Sequence, residues 1–136
     1  MHAWLHKLDQ HFPVRYTAWL LCAVGLLLFS FTWVAFSLHG ELALGRLPIL
    51  LGGDHCLGVG SISAVARHCR EAGKKLRVLW LDAHADFNTN QLTPSGNIHG
   101  MPVACLCGHG PRELIEIGGQ VPAINPKWIR QIGIRS

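Results

Sequence analysis

Val78-Leu79-Trp80-Leu81-Asp82-Ala83-His84-Ala85-Asp86 is the stretch that decides how this chain is read. Its first four residues form a short apolar run of the kind that fills a buried strand. The next five place Asp82, His84 and Asp86 at every second position. Alternate side chains of extended backbone point the same way, so these three can converge on one point just past the strand end. Carboxylate and imidazole ligands without a thiolate favour Mn²⁺, with Zn²⁺, Fe²⁺ or Co²⁺ as lesser options. A carboxylate between two ions can bridge them in a site that activates water. A surface loop can also carry Asp-x-His-x-Asp without binding metal, so the surrounding sequence matters.

Working outward, the chain from Gly45 onward reads as α/β. Leu47-Pro-Ile-Leu-Leu51 predicts a buried strand that ends at the Gly52-Gly53 turn. Ile62, Val65, Ala66 and Cys69 follow helical spacing and predict a helix over Ser61–Ala72, stopped by Gly73. Leu76–Leu81 is the next expected strand, and Ala83–His99 a polar loop. Met101–Cys107 and Arg112–Ile117 read as helices separated by Gly108-His-Gly-Pro111, and Ile129–Arg135 as a strand. Strands alternating with helices imply a parallel sheet with right-handed crossovers. Ligand sites of such sheets lie at the carboxyl edge of the strands. His55, in Gly52-Gly-Asp-His-Cys56, falls at that same edge, one crossover from the Asp82 cluster. Alone, a loop histidine is more often structural.

Downstream, Asn88-Thr89 and Ser95-Gly-Asn-Ile-His-Gly-Met-Pro102 follow. Asn88, Ser95 and Asn97 offer neutral donors and acceptors for the polar end of a small substrate, such as a carboxylate and an amine. His99 can move protons near neutral pH. In isolation, ordinary turn chemistry accounts for the polar residues equally well.

Composition narrows the function classes. The 136 residues fit one ordinary domain, and an apolar fraction of 49% supports a core. The net charge of +4 is scattered, with Lys74-Lys75-Leu76-Arg77 the only basic cluster, so no nucleic-acid partner is expected. Five cysteines in no zinc or disulfide spacing read as reduced thiols, which fits a cytoplasmic setting. The N-terminal region differs in character. Thr17–Phe36 is almost unbroken apolar sequence, with Trp19 and Trp33 near its ends and Lys7 and Arg15 before it. It is long enough to cross a bilayer, with the N-terminus in the cytoplasm, and no convincing signal-cleavage site follows it. That orientation would put the metal motif outside the cytoplasm, against the reduced thiols. A buried core helix is the alternative.

Taken together, Gly-Gly-Asp-His, Asp-Ala-His-Ala-Asp and Ser-Gly-Asn-Ile-His-Gly-Met-Pro closely resemble the ureohydrolases, and arginases more than agmatinases or formimidoylglutamases. The resemblance covers roughly Leu42–Ser136 and divides the chain into an N-terminal segment, 1–40, and a partial arginase-like domain, 41–136. It implies an α/β fold, part of a three-layer sandwich around a parallel sheet, here preceded by an N-terminal hydrophobic helix. It also implies two Mn²⁺ ions that activate water for attack on the guanidinium carbon of L-arginine, giving L-ornithine and urea. His55 and Asp86 would hold one ion and His84 the other, with Asp82 bridging. His99 would be the proton shuttle, and Asn88, Ser95 and Asn97 would read the substrate's α-carboxylate and α-amine. Trimers or hexamers and a cytoplasmic location belong to the same implication. The family's later Asp-x-Asp motif has no counterpart, since no aspartate follows Asp86. The expectation is therefore a truncated or frame-disrupted arginase reading with weak metal affinity and little activity alone. The competing expectation is a membrane-anchored, non-catalytic metal-binding or interaction fragment.

Overall fold

The structure is a computed structural model that describes the backbone of residues 14–135 and the side chains of Ala23 and residues 25–135. Lys7 and the side chains of Arg15, Trp19 and Cys22, which the sequence reading drew on, lie outside the described residues. The elements run in the order helix α1 (Val14–Ala43), helix α2 (Leu57–Glu71), strand β1 (Val78–Leu81), a 3-10 turn (Ile98–Gly100), helix α3 (Pro102–Leu106), helix α4 (Arg112–Ile115), a second 3-10 turn (Pro126–Trp128) and strand β2 (Ile129–Ile132). Two compact units divide the chain, Met1–Ser30 and Phe31–Ser136. In the first, the described part is the amino-terminal stretch of α1, where the Ser30 hydroxyl donates to the Leu26 carbonyl at 2.7 Å.

The second unit is α/β with a parallel sheet, as expected. Strands β1 and β2 pair in parallel, with Val78 opposite Ile129 and Leu81 opposite Ile132. Val78 and Ile129 point into a core shared with Ala66 of α2, Val103 and Cys107 of the α3 region, and Ile124. Ile62, Leu76 and Trp80 pack around it. The strand period of two then sends Leu79 and Leu81 to the opposite, exposed face.

Beyond trims of one or two residues at β1, α3 and α4, three expectations shift. Leu47–Leu51 forms no strand, and Leu47, Ile49 and Leu51 are 88%, 79% and 87% exposed. An extended segment needs a neighbour for its backbone groups; none of the described strands pairs with it, and Pro48 has no N–H to offer. Helix α2 starts at Leu57 rather than Ser61, because the Asp54 carboxylate accepts the Cys56 N–H at 2.7 Å and the Asp54 carbonyl accepts the Leu57 N–H at 3.2 Å. Gly58 and Gly60, poor helix formers, hide that first turn from the periodicity. Strand β2 ends at Ile132 rather than Arg135, since Gly133 takes a positive φ of 90°. A Cβ there would also sit 3.1 Å from the Asp82 carbonyl oxygen.

The stretch Gly25–Ala43 of α1 is long and apolar enough to cross a membrane by length and composition. Within the second unit its later residues nevertheless make protein contacts. Phe31 is fully buried, and His39 Nε2 lies 2.7 Å from Glu71 Oε2 on α2. The Phe31 carbonyl approaches Gly60 so closely that a Cβ there would stand 2.5 Å from the oxygen. Alanine in a helix interior normally gains about 0.5–1 kcal/mol over glycine, whereas a clash with a fixed backbone atom costs about 1–3 kcal/mol. Gly60→Ala is therefore expected to lower the free energy of denaturant unfolding by about 1–2 kcal/mol. Gly58→Ala, whose Cβ would meet the Trp80 ring at an ordinary 3.4 Å, should be neutral or stabilising. Equal effects of the two substitutions would contradict the close approach.

Candidate metal centre

The site begins where β1 stops. The Asp82 N–H donates to the Ile132 carbonyl at 3.0 Å, extending the ladder by one residue, so the Asp82 side chain is set by the sheet itself. Its Oδ1 accepts the His84 N–H at 3.0 Å. That bond, foremost, holds the Asp82 carboxyl below its usual range against the opposing effect of burial, and the neighbouring His55 adds to it. The chain then folds back at Asp86, which takes a φ of 47° and is only 7% exposed. The Asp86 carbonyl accepts the Val103 N–H at 3.0 Å, and the Asn88 N–H donates to the Gly100 carbonyl at 3.0 Å. These bonds anchor the ligand loop to the start of α3.

From the Gly52-Gly53 turn, His55 enters beside both carboxylates. Its Nδ1 lies 3.0 Å from Asp86 Oδ2, to which it donates, and 2.7 Å from Asp82 Oδ2. One N–H serves one acceptor well. Asp82 Oδ2 is thus buried beside the imidazole without a hydrogen bond of its own. Burying a carboxylate oxygen unpaired is costly, and a cation is the partner that removes the cost. The three potential ligand atoms of His55, Asp82 and Asp86 all lie within 4.8 Å of one another. To ligate, His55 Nδ1 exchanges its proton for metal, as binding by imidazole requires. The donor set, one nitrogen and two carboxylates, fits a divalent ion of the Mn²⁺ type.

The remaining sequence-selected residues divide into two groups. His84 is more exposed, with Nδ1 3.5 Å from Asp82 Oδ1, and stands outside the tight group of three. His84, Asn88, Ser95 and His99 nevertheless line one open cavity of about 660 Å³ with His55 and Asp86. Asn97 does not line it; its backbone N–H donates to Ser95 Oγ at 3.3 Å, so it touches the site through Ser95. Asp54 and Thr93 also line the cavity, and sequence reasoning assigns neither a role. Asp54 stands next to His55 in its motif, which is a signal that could have found it, whereas Thr93 carries no motif signal.

The Arginase family model matches residues 32–136. The chain belongs to the arginase family. It is 48% identical over 92 residues to the arginase of Bacillus caldovelox, covering 68% of this chain and 29% of that protein. To the arginase of Staphylococcus aureus (strain COL) it is 49% identical over 90 residues, 66% of this chain and 28% of that protein. Thus the chain spans less than a third of the length of these curated relatives. Among solved structures, native arginase from Bacillus caldovelox superposes with a TM-score of 0.73 at 42% identity, covering 78% of this chain and 34% of that one. Arginase from Bacillus subtilis gives a TM-score of 0.77 at 36% identity, covering 83% and 38%. Arginase-like α/β architecture is therefore shown for this chain, and the family is one of amidinohydrolase enzymes.

Cys56 follows His55 and is buried. Burial, and then the Asp54 carboxylate beside it, push its thiol up to about 12. Burial alone pushes Cys105 to about 11 and raises Cys107 as well. The thiolate is the reactive form. All four described cysteines are free, yet Cys56, Cys105 and Cys107 should resist iodoacetamide at pH 8 in the folded chain and label quickly in urea. Mass-mapped labelling checks this; rapid native alkylation of Cys105 would contradict the packing around α3.

Proposed function

We propose that this chain carries the first part of a manganese site that hydrolyses L-arginine to L-ornithine and urea. The observation that carries the reading is the convergence of His55, Asp82 and Asp86, with one carboxylate oxygen buried and unbonded, in a chain of the arginase family. His55 and Asp86 would hold one ion and His84 a second, with Asp82 between them. A bound divalent ion supplies a nucleophile near neutral pH by lowering the pKa of water, and charge stabilisation at the carbon attacked. The chain's own residues do the rest. His99, on the cavity wall, carries a proton toward the departing amine. Asn88 and Ser95 present neutral hydrogen-bonding groups to the α-carboxylate and α-amine of the substrate, with Asn97 holding Ser95.

Asn88 and the Ser95–His99 loop favour arginine over the substrates of agmatinases and formimidoylglutamases. The proposed organisation is a separate N-terminal segment over 1–40 and the arginase-like domain over 41–136; the family match reaches back to residue 32, so the two overlap in the later turns of α1. A cytoplasmic setting and the family's trimeric or hexameric assembly complete the proposal, and the free thiols support the former. The membrane-anchored alternative rests on Thr17–Phe36, whose later part lies in the apolar stretch Gly25–Ala43; inserting that stretch would give up the burial of Phe31 and the His39–Glu71 pair.

Among the described residues, four proposed ligands, His55, Asp82, His84 and Asp86, serve two ions, so weak binding and poor activity are expected of this chain alone. Calorimetric titration with Mn²⁺ should detect binding that falls by at least about tenfold in Asp82→Asn or His84→Ala, since even outer-shell changes cost that much. The 136-residue chain should release little or no urea from L-arginine. Equal Mn²⁺ affinity in the parent and both variants would overturn the metal reading. Substantial urea release that disappears in His84→Ala would overturn the expectation of weak activity.

A further inference from the structure

We propose that Gln131 is a positioning residue of the metal centre, a role that rests on the metal reading above: its side-chain amide, reaching from β2, fixes the Ala85 carbonyl between His84 and Asp86. Three bonds tie the ligand loop to β2 and the residues that follow it. The Asp82 N–H donates to Ile132 at 3.0 Å, and the Arg135 N–H to Ala83 at 2.8 Å. Both are backbone bonds that almost any residue could supply. The third, Gln131 Nε2 to the Ala85 carbonyl, depends on the side chain at 131.

That third bond falls where the loop most needs support. Ala85 and Asp86 share the peptide that Gln131 grips, and Asp86 holds a φ of 47°. A non-glycine residue keeps such a conformation only when its surroundings over-determine it. On the far side, Asp86 is fixed by the Val103 N–H at its carbonyl. Gln131 closes the near side. Without it, the Ala85 peptide is free to rotate, and rotation there swings the Asp86 carboxylate away from His55 Nδ1, now 3.0 Å distant. The register of the sheet delivers Gln131 to this place. It pairs with Trp80, whose ring meets the His55 imidazole edge-on at 5.8 Å. One strand position therefore braces both arms of the ligand group. A role in folding alone would not require an exposed side chain whose hydrogen bond, among the described residues, goes to this carbonyl.

Gln131→Met, which keeps the stem and removes both donors, should raise the Mn²⁺ dissociation constant about tenfold and leave the melting temperature unchanged. In the metal-free chain the Asp86 amide signal, which senses a hydrogen bond at the Ala85 carbonyl, should move in the nitrogen–proton correlation spectrum. Gln131→Lys, which restores a donor, should return that signal toward its original position. Arg130→Met is the control, because among the described residues that guanidinium bonds the Lys127 and Ile129 carbonyls and not the ligand loop; it should change neither readout. An unmoved Asp86 signal in Gln131→Met overturns the anchor. A moved signal with unchanged Mn²⁺ affinity overturns its role in the site. If the parent chain binds no Mn²⁺ while the Asp86 signal moves, the metal reading fails and the positioning role falls with it, although the contact itself stands.

Discussion

The hydrogen bond from the Asp82 N–H to the Ile132 carbonyl is the constraint on which the site depends. It carries the parallel pairing of β1 and β2 one residue beyond the strand and delivers a carboxylate at the sheet's carboxyl edge in a fixed orientation. A shift of one residue in this register would send Asp82 to the opposite face, because side chains alternate along a strand. Everything nearby follows from that placement. Asp82 Oδ1 turns the chain by taking the His84 N–H, Asp86 folds back under α3, and His55 closes from the Gly52-Gly53 turn.

Electrostatics then separate the roles of the residues. Two carboxylates share one imidazole at 2.7 and 3.0 Å, and a single N–H leaves Asp82 Oδ2 without a hydrogen bond. An arrangement of this kind is poor at stabilising a fold, since a buried unpaired oxygen costs more than a satisfied one returns. It is well suited to taking up a cation. The more exposed His84, by contrast, faces the cavity shared with Asn88, Ser95 and His99.

Much of this was legible in the residues. Strand–helix–strand order predicted the parallel pairing. The period of two in Asp82-Ala-His-Ala-Asp86 placed three ligands together, whereas the structure gathers only Asp82 and Asp86 of them with His55, because the backbone leaves the extended conformation at Asp86 and His84 stands outside the group. The three motifs pointed to the arginase family, which the match over residues 32–136 bears out. Other features were not legible, for physical reasons. Leu47–Leu51 has the composition of a buried strand, but composition does not reveal whether a partner strand is present to satisfy its backbone. The early start of α2 lies behind Gly58 and Gly60 and depends on a side-chain bond from Asp54. Asn97 shared a motif with Ser95, yet it does not line the cavity and instead bonds Ser95 Oγ through its backbone N–H, which a shared motif does not reveal. Gln131 carries no motif at all; its contact arises only from register.

The central claim is that His55, Asp82 and Asp86 form one metal-binding group. Crystals of the chain grown with Mn²⁺, with diffraction recorded on either side of the manganese absorption edge, address it directly. An anomalous peak in contact with His55 Nδ1, Asp82 Oδ2 and Asp86 Oδ2 is the predicted result. A map with no peak there, or with manganese bound only at other carboxylates, would contradict it.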